Sequence, residues 1–191
     1  MKVHSIPSLH VCIDLETLGN GPNAAIMNIG ACRFNIDGDI LSTYEAAVRA
    51  DSEHLGQIDA STVCWWLQQS KEAQAKINPP YAVPLAEALI GLSRWLNANM
   101  AGTVWAHDPS FDLVILRSAY ERFGDVVPVD KLYRKERSCR TIKMVGDMLG
   151  VTEDPREGVA HDALTDAKNQ AKYVAKVLRA VEAVAPVNAP A

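Results

Sequence analysis

The sequence predicts an α/β domain built round one mixed sheet. Three observations predict it: period-two apolar alternation near the N-terminus, an Asp-Gly turn signal between two further strand-like runs, and helical patterns alternating with single short strands thereafter. At 191 residues the chain fits one domain with a sizeable core, and 48% hydrophobic content argues against disorder. We expect a single domain over 1–182 and a flexible tail, "AVAPVNAPA", over 183–191. No apolar run reaches the roughly 18–20 residues needed to cross a membrane. The opening "MKVHSIPSLH" lacks the apolar stretch of a signal peptide. Cys12, Cys32, Cys64 and Cys139 form no CxxC pair, which reads as reduced thiols in a cytoplasmic protein. A net charge of −4 excludes a basic coat for nucleic acid but not a nucleic-acid enzyme whose carboxylates face cations.

Each element has its own signal. In "HVCIDLETLG", Val11, Ile13 and Leu15 alternate with Cys12, Asp14 and Glu16, the pattern of a half-buried strand over 9–17. Strands over Ile26–Phe34 and Ile40–Val48 flank the Asp37-Gly38 turn. "DASTVCWWLQQSKEAQAKI" reads as a helix from near Asp59 or Ser61, ended or interrupted by "NPPYAVP". Pro84 suits the first turn of a helix carrying Leu85, Leu89, Leu92 and Leu96 on one side. "GTVWAH" is a short strand. Asp108-Pro109 resembles a cap and first helical residue, opening a helix that Gly124 closes. A further strand is expected at 137–141, helix over Arg140–Leu149, and a last helix from about Asp162 to about Val181.

The acidic residues carry the chemistry. Asp14 and Glu16 leave the same face of a strand, about 6.5–7 Å apart along it, and repel unless a cation lies between them. In "HDPSFDLVIL", Asp112 adjoins Phe111 and the apolar run Leu113–Leu116, where a carboxylate is costly to bury without a cation or hydrogen bonds; the other reading is a first-turn acid favoured by the helix dipole. In "AHDALTDA", Asp162 caps the helix, leaving His161 just outside it and Asp166 in its second turn. A movable imidazole beside a fixed carboxylate suits a general base next to a metal ligand. Carboxylates without a Cys or multi-His set suit a hard divalent cation.

The motifs "DLET" at 14–17, "HDPSFD" at 107–112 and "HDALTDA" at 161–167, in that order, resemble those of the DEDDh-type 3′–5′ exonucleases, the ribonuclease T and proofreading-subunit group of the RNase H-like superfamily. "WWLQQS" is similar to the small phage and bacterial exoribonuclease branch. The resemblance implies an RNase H-like fold, a central mixed five-stranded sheet flanked by helices. It implies that Asp14, Glu16, Asp112 and Asp166 hold two divalent ions, Mg²⁺ or Mn²⁺, with His161 as general base and Asp14 bridging both ions. Thr17 and Leu18 match positions that lie against the terminal nucleotide. The implied reaction is metal-dependent hydrolysis of phosphodiester bonds from the 3′ end of RNA or DNA, releasing nucleoside 5′-monophosphates, with RNA the first substrate expectation and DNA the alternative. A homodimer is a further expectation. One departure is Asp108, where relatives commonly carry Asn; it adds negative charge near the site unless it is engaged as a cap.

Two features have open readings. "KLYRKERSCRTIK" over 131–143 is either a phosphate track or a solvated loop. Trp65 and Trp66, about 100° apart on a helix, cannot both enter one core face; one is free for base stacking or an interface. Trp95 and Trp105 read as core, and His4, His10 and His54 carry no functional expectation. The rival classes are a catalytically inactive nucleic-acid-binding protein on the same fold and, far less suited to Asp112, Asp166 and His161, a metal-free glycosidase using Asp14 and Glu16.

Overall fold

The computed structural model describes residues 8–99, 102–124 and 134–184. Strands β1 (Leu9–Thr17), β2 (Ile26–Asn35) and β3 (Ile40–Ala47) form an antiparallel meander, and the chain then crosses through α1 (Ala60–Trp66), α2 (Lys71–Gln74) and α3 (Leu85–Asn99). It returns in β4 (Thr103–Ala106), α4 (Asp112–Phe123), β5 (Glu136–Ser138), α5 (Cys139–Met148) and α6 (Ala163–Val184). The sheet order is β3-β2-β1-β4-β5, with β4 parallel to both β1 and β5. This is the mixed five-stranded sheet the sequence predicts.

β1 departs from the half-buried expectation: it is central, and all but its first residue are buried. The reason is that both its faces are covered. Val11, Ile13 and Leu15 share one core with Ile29 and Ala31 of β2 and with Leu89, Leu92, Leu113 and Leu116 of α3 and α4. On the other face Cys12, Cys32 and Phe34 pack against Ala167, Ala171 and Val174 of α6. His10 is buried there and bonds to the Thr103 hydroxyl, tying β1 to β4. The alternation therefore separates two cores rather than core from solvent.

Several boundaries differ from the sequence reading for local reasons. The helix expected from Asp59 is two short helices, because the Ser70 hydroxyl accepts from the Ala73 amide and starts a new one. Asp108 does not cap α4 directly. Its carbonyl accepts from Phe111 and Asp112 and its carboxylate from Ser110, forming a turn, so the helix starts at Asp112. β5 occupies 136–138 and α5 begins at Cys139, one residue before the expected helix start. α6 runs to Val184, past Val181 and across the expected start of the tail at 183; residues 185–191 lie outside the described part. His4 and the 131–133 portion of the basic segment lie outside it too. Among the described residues no helix is long and apolar enough to cross a membrane.

One glycine fixes how the last helix meets the sheet. Gly30 of β2 pairs with Asp14 of β1, and a Cβ on Gly30 would stand 2.1 Å from the Ala163 carbonyl carbon and 2.2 Å from the Leu164 nitrogen. Only a residue without a side chain lets the start of α6 lie this close to β2. Gly30→Ala is expected to lower the melting temperature, costing roughly 1–3 kcal/mol as overpacked sites do; differential scanning calorimetry showing wild-type stability would mean the contact is not tight.

Candidate functional site

Three elements bring the acidic residues together. Asp14 and Glu16 project from the α6 side of β1, opposite Gly30 and Asn28. Asp112, the first residue of α4, reaches β1 and accepts a hydrogen bond from the Leu15 amide at 3.3 Å; its other oxygen accepts from the Asp108 amide at 3.2 Å. Asp166 lies in the first turn of α6 and accepts from the His161 amide at 3.2 Å. Asp162 accepts from the Thr165 amide at 2.9 Å, the N-cap geometry expected of it, and pairs with Lys76 at 2.5 Å. With Asp162 as cap, His161 precedes the helix and turns back with φ of 60°. Glu16, His161 and Asp166 each offer a ligand atom within 4.8 Å of the others. Glu16, His161 and Asp166 form the tight group, and Asp14 and Asp112 border it through β1.

The electrostatics are those of negative charge forced into a dry corner. Burial, the Asp112 charge and the Glu16 charge hold the Asp14 carboxyl well above its usual range. Burial pushes Glu16 up to about 8, with Asp112 and Asp162 adding to the shift, and burial pushes Asp112 up to about 6. Burial lowers the His161 pKa, and the neighbouring Arg156 charge lowers it further, so the ring is neutral near pH 7. That imidazole contacts two tryptophans edge-on, Trp65 at 4.8 Å and Trp66 at 5.9 Å between ring centroids.

Residues outside the motifs complete the arrangement. Gln170 donates to the Asp14 carboxylate at 2.8 Å; it lies one turn beyond Asp166, a spacing that could have flagged it. Arg156 pairs with the Asp166 carboxylate. No periodic signal in its loop marks Arg156. Trp66 is buried and donates its indole N–H to the Thr17 carbonyl at 2.8 Å, whereas Trp65 is 41% exposed beside His161, so the pair divides into one core and one surface residue. Trp105 is buried and Trp95 half-buried, its indole bonded to Ser42. Thr17 and Leu18 are both buried: the Thr17 hydroxyl donates to the Gly19 carbonyl, and Leu18 joins the α3/α4 core. Asp108, the departure from the motif, is engaged by Ser110 and by Arg140 at 3.1 Å. In the basic segment Lys143 pairs with Glu153, and Arg137 donates to backbone carbonyls.

A family model described as the 3′-5′ exoribonuclease Rv2179c-like domain matches residues 9–178. The chain belongs to that family. Its sequence is 25% identical over 118 residues to the exodeoxyribonuclease of Enterobacteria phage T4, covering 54% of this chain and 52% of that protein. Exonuclease I from Methylocaldum szegediense superposes with a TM-score of 0.65 at 15% identity, over 94% of this chain and 41% of that one. S. pombe Pop2p, in its Mg²⁺- and Mn²⁺-bound form, superposes with a TM-score of 0.61 at 12% identity, over 88% of this chain and 82% of that one. The chain therefore spans about half the length of the curated relative it matches and less than half of the thermophile enzyme. The fold is RNase H-like, as the motifs implied.

The raised carboxyl of Glu16 has a measurable sign. Its neutral form contributes stability that is fully present below an unfolded value near 4.5 and lost as pH rises through about 8. In EDTA, the stability of wild type should fall relative to Glu16→Gln between about pH 5 and 8. A difference in urea midpoints that stays constant across that range would show that Glu16 is not held in a desolvated, acid-crowded position.

Proposed function

We propose that this chain is a metal-dependent 3′–5′ exonuclease that releases nucleoside 5′-monophosphates from the 3′ end of a nucleic acid. The observation that carries the reading is the convergence of Asp14, Glu16, Asp112, Asp166 and His161 at one end of β1 in a chain of an exoribonuclease family. The donor set fits a hard divalent cation. It is dominated by carboxylate oxygens, and across from Glu16 the buried Asn28 amide oxygen has no hydrogen-bond partner. Asp14, Glu16, Asp112 and Asp166 would hold two ions, Mg²⁺ or Mn²⁺. When bound, such a pair supplies Lewis-acid stabilisation of the charge that builds on a scissile phosphate.

The chain's own residues supply positioning and proton transfer. Gln170 fixes one Asp14 oxygen, and the Leu15 and Asp108 amides fix both oxygens of Asp112, so these carboxylates are oriented before substrate arrives. His161, neutral and half-exposed at the rim, takes the proton of the attacking water. Trp65 offers an exposed ring beside it on which the terminal base can stack. Thr17 and Leu18, being buried, would shape the floor under the terminal nucleotide mainly through the backbone of that strand end. RNA is the first substrate we propose, on the family description; DNA is the second, on the name of the phage relative.

The test uses single-stranded RNA and DNA oligonucleotides labelled at the 5′ end, with Mg²⁺, Mn²⁺ or EDTA. A ladder shortening from the 3′ end, absent in EDTA and in Asp14→Ala, is expected, and the faster substrate decides between RNA and DNA. Folded protein that cleaves neither would leave a nucleic-acid-binding module. His161→Ala should keep cation affinity yet lose roughly 10²–10⁴-fold in turnover; lost cation affinity by calorimetry would make His161 a ligand or a structural residue instead.

A further inference from the structure

The loop between α5 and α6 carries an arginine into the acidic corner. Arg156 ion-pairs with Asp166 while also donating towards the Val159 carbonyl, and its positive charge acts on both Glu16 and His161. This placement is built rather than incidental, because the loop is strapped to α6 along one helical face. Asn169 exchanges hydrogen bonds with the Glu157 backbone at 3.1 and 3.0 Å, and Lys172 pairs with the Glu157 carboxylate at 2.6 Å. Tyr173 donates to the Val151 carbonyl, and Lys176 holds both Asp154 at 2.7 Å and the Thr152 carbonyl at 2.9 Å. Residues 169, 172, 173 and 176 are spaced as one face of a helix. Gly158, at φ of 74° and with a Cβ position 2.8 Å from Thr165, turns the chain back immediately after this strap. The backbone of Arg156 is thus pinned from both sides, while its side chain is 44% exposed and open to solvent on the side away from Asp166.

We propose that Arg156 is the exchangeable counter-ion of the site: its guanidinium occupies Asp166 until a divalent cation displaces it, and the strapped loop then keeps the released charge at the rim. This rests on the reading of Asp166 as a cation ligand. Asp166 gives Oδ2 to the His161 amide and Oδ1 to Arg156, so a cation that takes Oδ1 from the guanidinium's side must displace it. The exchange moves charge without exposing an uncompensated carboxylate in a nearly dry position. The loop anchors keep the freed guanidinium beside the acidic corner.

Calorimetric titration of Mn²⁺ into wild type, Arg156→Gln and Arg156→Lys, each free of nucleic acid, tests this. Removing the competitor should tighten Mn²⁺ binding on the order of fivefold in Arg156→Gln, from the worth of a partly exposed ion pair, with Arg156→Lys between. The melting temperature in EDTA should fall in Arg156→Gln while its rise on adding Mn²⁺ becomes larger than in wild type. Unchanged or weaker Mn²⁺ binding in Arg156→Gln, with wild type binding normally, would overturn the proposal alone. No Mn²⁺ binding in either protein would overturn it together with the cation-site reading.

Discussion

The arrangement depends on how closely the start of α6 lies on the sheet at Gly30. That contact sets the Ala163 and Leu164 backbone against β2 directly opposite Asp14. Everything on the N-terminal turn of α6 follows from it. Asp162 caps the helix, His161 is thrown back over its start, and Asp166 comes beside Glu16. Gln170, one turn on, reaches Asp14. A side chain at position 30 would lift the turn away and separate the α6 half of the site from the β1 half. The small residues Ala167, Ala171 and Ala175 continue the same close packing along the helix.

The cost of this closeness is electrostatic. Asp14, Glu16 and Asp112 are pushed above their ordinary range chiefly by burial and then by neighbouring acids, which means the fold crowds carboxyls where water cannot screen them. Charging these carboxyls together is costly there unless positive charge enters. Lys76 answers Asp162 and Arg156 answers Asp166, both from loops or helix ends rather than from the sheet. Asp14 and Asp112 are met by amides, not by side-chain cations, among the described residues. The part of the cluster that amides alone compensate is the part best suited to an incoming divalent ion.

Much of this was legible in the sequence, and the limits have physical causes. The first three strands are marked by side-chain alternation and an Asp-Gly turn, which are local, and their bounds follow within a residue or so. Asp14, Glu16 and Asp112 were conspicuous because paired or apolar-flanked carboxylates are costly, whereas His161 and Asp166 stood out only through the order of the three motifs. Asp108 misplaced the start of α4 because an Asp-Pro pair satisfies the same local rules in a turn as at a helix cap. Ser70 broke a helix that composition alone would continue. Burial of both faces of β1, the closeness at Gly30 and the strap that positions Arg156 all depend on which segments meet in space, and no local pattern encodes that. Gln170 is intermediate: its one-turn spacing from Asp166 was present, but its partner on β1 was not predictable from spacing.

The end of β1, the start of α4 and the start of α6 are proposed to make one cation site. Anomalous diffraction from crystals grown with Mn²⁺ addresses it most directly. Manganese peaks are expected among the carboxylates of Asp14, Glu16, Asp112 and Asp166, with the Asp166 oxygen released from Arg156. Manganese found elsewhere, with these four carboxylates uncoordinated in the folded protein, would contradict it.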